Sequence, residues 1–191
     1  MTFSTKDNRM KYWTAALLGV ALAAAPATAR IKAPAMVEGQ TPQPAIEPGS
    51  YPFQLFLPKG YLPDTGKQYP LLVFLHGSGE RGDDVAKVKV HGPPKIADRD
   101  PAFPFVTVSP LLGTDQDWEI DKLDRLVDHI AKSYRIDPAR VYLTGLSRGG
   151  HASWRWAIAQ PRRFAAVAPV AGRGDPGGAC RLMDLPVWTF H

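Results

Sequence analysis

Residues 141–154 read VYLTGLSRGGHASW, and this stretch constrains the chain more than any other. Val141 to Thr144 favour a strand, and residues 148–159 can wind as a helix that stops before Pro161. Passing from strand to helix within three residues needs a sharp turn, and a sharp turn leaves no room for side chains beside it. Gly145 and Gly149 meet that need around Ser147. Together, Gly145-Leu146-Ser147-Arg148-Gly149 fits the pattern G-x-S-x-G, in which such a turn lifts a serine hydroxyl out of the fold. The helix start directs backbone N–H groups and a positive partial charge at the same place. The remainder of the chain must then supply a sheet in which this strand can be central.

Short apolar runs supply it. YPLLVFLH (residues 69–76) is continuous and bounded by Gly and Pro, which predicts a strand buried on both faces. YPFQLFLP (51–58), FVTVSP (105–110) and FAAVAPVAG (164–172) are further strands, and LPVWTFH (185–191) begins another. Ile120, Leu123, Leu126, Val127, Ile130 and Tyr134 fall at helical spacing with charged residues between them. RIDPAR (135–140) reads as a turn, and residues 77–104 as a long connection rich in Gly and Pro. Alternating strands and helices with apolar strands predict an α/β domain with a mainly parallel sheet flanked by helices.

The first 29 residues differ from the rest. Lys6, Arg9 and Lys11 precede an uncharged stretch from Thr14 to Ala29, which ends in the small-x-small triplet Ala27-Thr28-Ala29. This predicts a signal peptide over residues 1–29, and hence a secreted or periplasmic protein. The alternative is an uncleaved anchor, although the apolar stretch is short for a span of ~20 residues. Residues 30–49 are rich in Pro without periodicity and read as an extended lead-in, with the folded domain over residues 50–191. Of the net charge of +5, two charges belong to the leader, where Lys6, Arg9 and Lys11 outnumber Asp7. The remaining basic residues are interleaved with acids, which argues against a nucleic-acid partner, and no membrane partner is expected after leader removal. Cys180 is the only cysteine, so it is free or has its partner elsewhere.

A serine that attacks an acyl group needs two N–H donors for the developing oxyanion. One is the N–H of Arg148, the residue after the nucleophile, and the other comes from the loop after an earlier strand. HGSGERG (residues 76–82) is that loop, with Ser78 or Gly79 as the second donor. The same residues 77–82 also fit G-x-G-x-x-G, the dinucleotide fingerprint. Against that reading, Gly92, Pro93 and Pro94 interrupt the helix the fingerprint should open, and Glu80, Asp83 and Asp84 crowd the place of a pyrophosphate.

YPLLVFLHGSGERGDD, KVHGPPK, IDPARVYLTGLSRGGHASW, FAAVAPVAGRGDP and LPVWTFH together resemble the secreted α/β-hydrolase-fold esterases. The nearest group is that of polyhydroxybutyrate-depolymerase-like and feruloyl-esterase-like enzymes, also described as predicted peptidases. The resemblance implies a serine hydrolase that acts on small or polymeric carboxylic esters through an acyl-enzyme on Ser147, without metal or cofactor. A serine peptidase of the prolyl-oligopeptidase-like type, and a non-catalytic secreted domain with the same fold, are the alternatives. Glu80 and Arg81 are expected to hold their loop by an ion pair.

In this fold the triad runs Ser, then Asp or Glu, then His. His151 lies one helical turn after Ser147 and reads as helix surface or packing. His76, His91 and His129 precede the serine, Asp175 and Asp184 come too early, and His191 resembles a strand-end position that precedes the acid. The expectation is therefore an incomplete domain whose triad Asp and His lie beyond His191, and a polypeptide with little activity by itself.

Overall fold

Six strands form one sheet in the order β1-β2-β4-β3-β5-β6. The computed structural model describes residues 36–62 and 66–191, so the predicted leader lies outside the described residues. The strands are β1 (Gly39–Gln43), β2 (Phe53–Leu57), β3 (Tyr69–Leu75), β4 (Val106–Pro110), β5 (Ile136–Leu146) and β6 (Ala166–Val170). β3, β4, β5 and β6 run parallel, while β1 and β2 pair antiparallel at one edge. Among the described residues, three α-helices accompany them: α1 (Gly92–Ala97), α2 (Ile120–Ser133) and α3 (Arg148–Ala159). The predicted α/β architecture with a mainly parallel sheet is the one observed.

Chain connection proceeds from β3 to β4 on one side and then to β5 on the other. The direction of winding thus reverses at β3, and the C-terminal ends of β3 and β5 open a crevice there. Open α/β sheets bind their ligands at such a reversal.

The helices cover the sheet through the faces their spacing predicts. α2 buries Leu123, Leu126, Val127 and Ile130, and α3 buries Ala152, Trp156 and Ala157. Leu71, Val73, Val141, Leu143 and Val167 are buried beneath them in the core. The opposite face is closed less evenly. Phe74 is buried there against the start of α1, where a Cβ on Gly92 would lie 2.7 Å from its ring. Leu72, Tyr142, Thr144, Ala166 and Ala168 are only half-buried. The expected burial of residues 69–76 on both faces is therefore corrected at Leu72: an apolar run shows that a strand is central, not how much packs on each face.

Three local readings also change. Within residues 30–49, β1 is a paired strand, because backbone pairing with Phe53–Leu57 needs no apolar periodicity of its own. The long connection holds α1, with Pro93 and Pro94 in its first turn, where a missing N–H costs nothing. The predicted turn at 135–140 falls at the start of β5, as an irregularity between the pairs Tyr69–Ile136 and Leu71–Val141. There Asp137 Oδ1 accepts from Ala139 N–H at 2.9 Å, and Oδ2 accepts from Arg140 Nε at 2.6 Å.

Residues 186–190 run parallel to β6 but make only the isolated bridges Val167–Val187 and Val170–Phe190. The position whose N–H would face this segment between those bridges is Pro169, which has none.

Candidate active site

Ser147 sits between β5 and α3 with φ 53° and ψ −111°, a left-handed conformation costly for a residue with a side chain. Its own N–H donates to Val170 O at 2.9 Å, and its carbonyl accepts from His151 N–H at 2.9 Å. The backbone is thus held from both sides while the residue stays exposed. Among the described residues its Oγ has no hydrogen-bond partner.

Close approach of three backbones makes this turn possible. A Cβ on Gly149 would fall 1.8 Å from the Leu75 carbonyl oxygen, and one on Gly145 would fall 2.4 Å from the Gly149 carbonyl oxygen. The two glycines of the motif therefore let α3 start directly against β3 and β5. Two further glycines do the same toward β6: a Cβ on Gly150 would lie 2.4 Å from Val170 O, and one on Gly172 would lie 2.3 Å from Gly150 C. Sequence reasoning missed this second pair, although the doubled glycine of SRGGH was its visible signal.

The loop after β3 meets the serine. Gly77 is buried, and a Cβ there would lie 3.5 Å from Ser147 Cβ. Ser78, Gly79 and Glu80 follow as one 3-10 turn, with Ser78 and Gly79 exposed. Ser78, Ser147 and Arg148 line one cleft of about 370 Å³, together with Asp117, His151, Arg155 and Arg173. Gly79 does not line it. The structure thus brings Ser78, Ser147 and Arg148 together, and it adds Asp117 and two arginines that no motif indicated.

His76 anchors the loop from below. Its Nδ1–H donates to Gly77 O at 2.7 Å, so its bare Nε2 can accept from Leu112 N–H at 2.9 Å. The ring is buried and lies edge-on to Trp118 at 5.1 Å. Burial holds its pKa below the ordinary histidine value, so it is a neutral strut.

Glu80 Oε1 lies 3.5 Å from His91 Nε2, and Oε2 lies 3.9 Å from His76 Nδ1. Arg81 instead donates to Ser78 O at 3.2 Å and to Thr114 O at 2.5 Å. The expected Glu80–Arg81 ion pair is thus corrected. The loop carries Glu80 inward and Arg81 outward, and each stabilises the turn through other partners.

Arg148 contributes more than its N–H. As the first residue of α3, it has a backbone N–H without an intrahelical acceptor. Its side chain donates from Nε to Ser78 Oγ at 3.1 Å and from Nη1 to Asp117 Oδ1 at 3.2 Å. Asp117 is fixed by its neighbours: Tyr51 OH donates to Asp117 O at 3.0 Å and accepts from Glu119 N–H at 2.9 Å. His151 lines the cleft as well, and its Nδ1 accepts from Arg173 N–H at 2.9 Å. Among the described residues, no imidazole is hydrogen-bonded to Ser147 Oγ.

A parallel sheet with this strand order, a positive-φ serine on the turn into α3 and a glycine loop beside it define the α/β-hydrolase fold. The chain belongs to the Esterase family, described as "Putative esterase", which matches residues 47–188. It is 28% identical over 144 residues to the bifunctional acetylxylan esterase/xylanase XynS20E of Neocallimastix patriciarum, covering 72% of this chain and 20% of that protein. It is 42% identical over 50 residues to poly(3-hydroxyalkanoate) depolymerase C of Paucimonas lemoignei, covering 26% of this chain and 12% of that one. A solved thermostable esterase superposes with a TM-score of 0.66 at 28% identity, covering 80% of this chain and 46% of that structure. The chain therefore spans less than half the length of each of these relatives. Among the described residues, no helix is long and apolar enough to cross a membrane.

Proposed function

We propose that this chain carries the nucleophile and oxyanion donors of a serine carboxylic ester hydrolase. The observation that carries the reading is Ser147 itself: exposed in the cleft, at a positive φ on the turn from β5 into α3, with its Oγ unengaged among the described residues. Strained backbone of this kind collects at reactive groups. In the reaction, Ser147 Oγ adds to the ester carbonyl carbon as its proton passes to a general base. The carbonyl oxygen becomes an oxyanion that accepts from Arg148 N–H and from the N–H of Ser78 or Gly79, with Ser78 favoured because it lines the cleft. The C–O bond to the alcohol then breaks, the base returns the proton to the alcohol, and water hydrolyses the acyl-serine by the same steps.

The base and its acid partner are proposed to come from chain beyond His191, in line with the greater length of the relatives. Residues 1–29 are proposed to direct export, on the strength of their basic start, apolar stretch and Ala27-Thr28-Ala29. The substrate class is a carboxylic ester, small or polymeric. Acetylxylan and poly(3-hydroxyalkanoate), named for two relatives, are both polymeric esters.

A fluorophosphonate probe tests the nucleophile. Labelling of a chain that includes residues 30–191, lost in Ser147→Ala, is the expected result; equal labelling of both proteins overturns the reading. Residues 30–191 alone are expected to turn over p-nitrophenyl acetate at a small fraction of the rate of a longer chain. Rapid turnover by residues 30–191 that depends on Ser147 would overturn the proposed source of the base.

A further inference from the structure

The cleft beside Ser147 is charged in a way that ester hydrolysis does not require. Arg148, Arg155 and Arg173 line it, and Asp117 is its one carboxylate. Arg148 Nη1 lies 3.2 Å from Asp117 Oδ1, and Arg155 Nη2 lies 3.6 Å from Oδ2, so both arginines share a single acid. The Arg173 guanidinium has no hydrogen bond or ion pair among the described residues, although its backbone N–H holds His151. The cleft thus presents two more positive charges than negative ones. Elsewhere on the surface the pattern differs. Arg125 pairs with Glu47, Arg140 with Asp137, and Arg163 with both Asp124 and Asp128, while the exposed Arg99 and Arg162 have no ion pair among the described residues and stand apart from one another rather than in a shared cleft.

Two of the three guanidiniums are also positioned rather than loose. Arg148 is fixed between Ser78 Oγ and Asp117, and Arg155 donates to Trp118 O at 3.1 Å. A fork of guanidinium N–H donors matches a carboxylate in both geometry and charge. The start of α3 adds positive potential at the same place. A neutral ester presents negative charge to this field only as the oxyanion of its transition state, whereas an ester that also bears a carboxylate presents it on binding.

We infer that the Ser147 cleft takes esters carrying a carboxylate, and that Arg173 is the residue that selects for that charge. This rests on the proposed hydrolase reading for the word ester, while the anion preference stands on the arginines alone.

The experiment compares binding of monomethyl glutarate and dimethyl glutarate, which differ by one charge, to the full chain by NMR titration. Neither measurement needs turnover. The monoester is expected to bind about threefold or more tightly than the diester, a modest factor because the groups are exposed. The ratio should fall toward one in Arg173→Gln, return in Arg173→Lys, and shrink in about 0.5 M salt through screening. Equal affinities in the wild-type chain, or a ratio unchanged in Arg173→Gln, would overturn the inference. Labelling by fluorophosphonate separates the two readings. Ser147-dependent labelling with no charge preference sinks this inference and leaves the nucleophile in place. A charge preference without Ser147-dependent labelling does the reverse, and describes an anion-binding cleft that is not a hydrolase site.

Discussion

Gly149 and Leu75 touch backbone to backbone: a Cβ at position 149 would fall 1.8 Å from the Leu75 carbonyl oxygen. That approach places the first turn of α3, and with it Ser147, against the end of β3. Neither backbone is free to withdraw, since Leu75 is fully buried in the central strand and Gly149 is buried in the helix. Gly149→Ala is therefore expected to force α3 away from the sheet, at a cost of about 3 kcal/mol or more. Urea unfolding measures the cost. Fluorophosphonate labelling at Ser147 should fall with it even where the variant remains folded, because the turn that lifts the hydroxyl depends on this contact.

His76 makes stability depend on pH. Burial lowers its pKa in the folded chain, whereas the unfolded chain titrates near the ordinary value of about 6.5. Between those two values the unfolded state binds a proton that the folded state refuses, so stability is lost as pH falls below about 6.5, by up to about 1.4 kcal/mol per pH unit. Above pH 7 the group is neutral in both states and the dependence vanishes. Unfolding free energies from pH 5 to 8 check this. In His76→Gln this component of the slope should disappear. Overall stability should also drop by about 1–3 kcal/mol, since the amide must replace a rigid ring that bridges Gly77 O and Leu112 N–H at once.

Tyr51 ties the core to the segment that carries Asp117. Its hydroxyl donates to Asp117 O and accepts from Glu119 N–H, and its ring lies 5.2 Å from Trp118. Tyr51→Phe keeps the ring and removes both bonds, for an expected loss of about 1–2 kcal/mol. The loss should appear as a lower urea midpoint, with altered Trp118 emission before global unfolding.

Asp124 joins α2 to α3. It accepts from Trp156 Nε1 at 2.9 Å and from Gln160 Nε2, and its Oδ1 lies 3.1 Å from Arg163 Nε. Asp124→Ala leaves the indole N–H of a fully buried tryptophan without its partner and Arg163 without one of its two acids. We expect about 3 kcal/mol of destabilisation, read from thermal or urea unfolding. Asp124→Asn keeps an acceptor for Trp156 and should recover part of it.

The sequence by itself determined which segments form the central sheet and where the sharp turn at Ser147 falls. Apolar runs such as residues 69–76 state that a strand is buried, and the glycines around Ser147 state that the backbone must turn sharply there. Both signals are local, so they can be read without the fold. The same holds for α2, whose apolar spacing alone gave its buried face.

Only the tertiary structure decided what surrounds the serine. Asp117 and Arg173 reach the cleft from segments before α2 and after β6, and the Arg148 side chain is engaged there because Ser78 and Asp117 are brought beside it. β1 was invisible in a proline-rich lead-in because its order comes from backbone pairing with β2, which leaves no side-chain pattern. Glu80 turned toward two histidines rather than its neighbour Arg81 because the 3-10 turn sends successive side chains in different directions. Local sterics are written in neighbouring residues, whereas charge and pairing partners are chosen by which distant segments the sheet brings together.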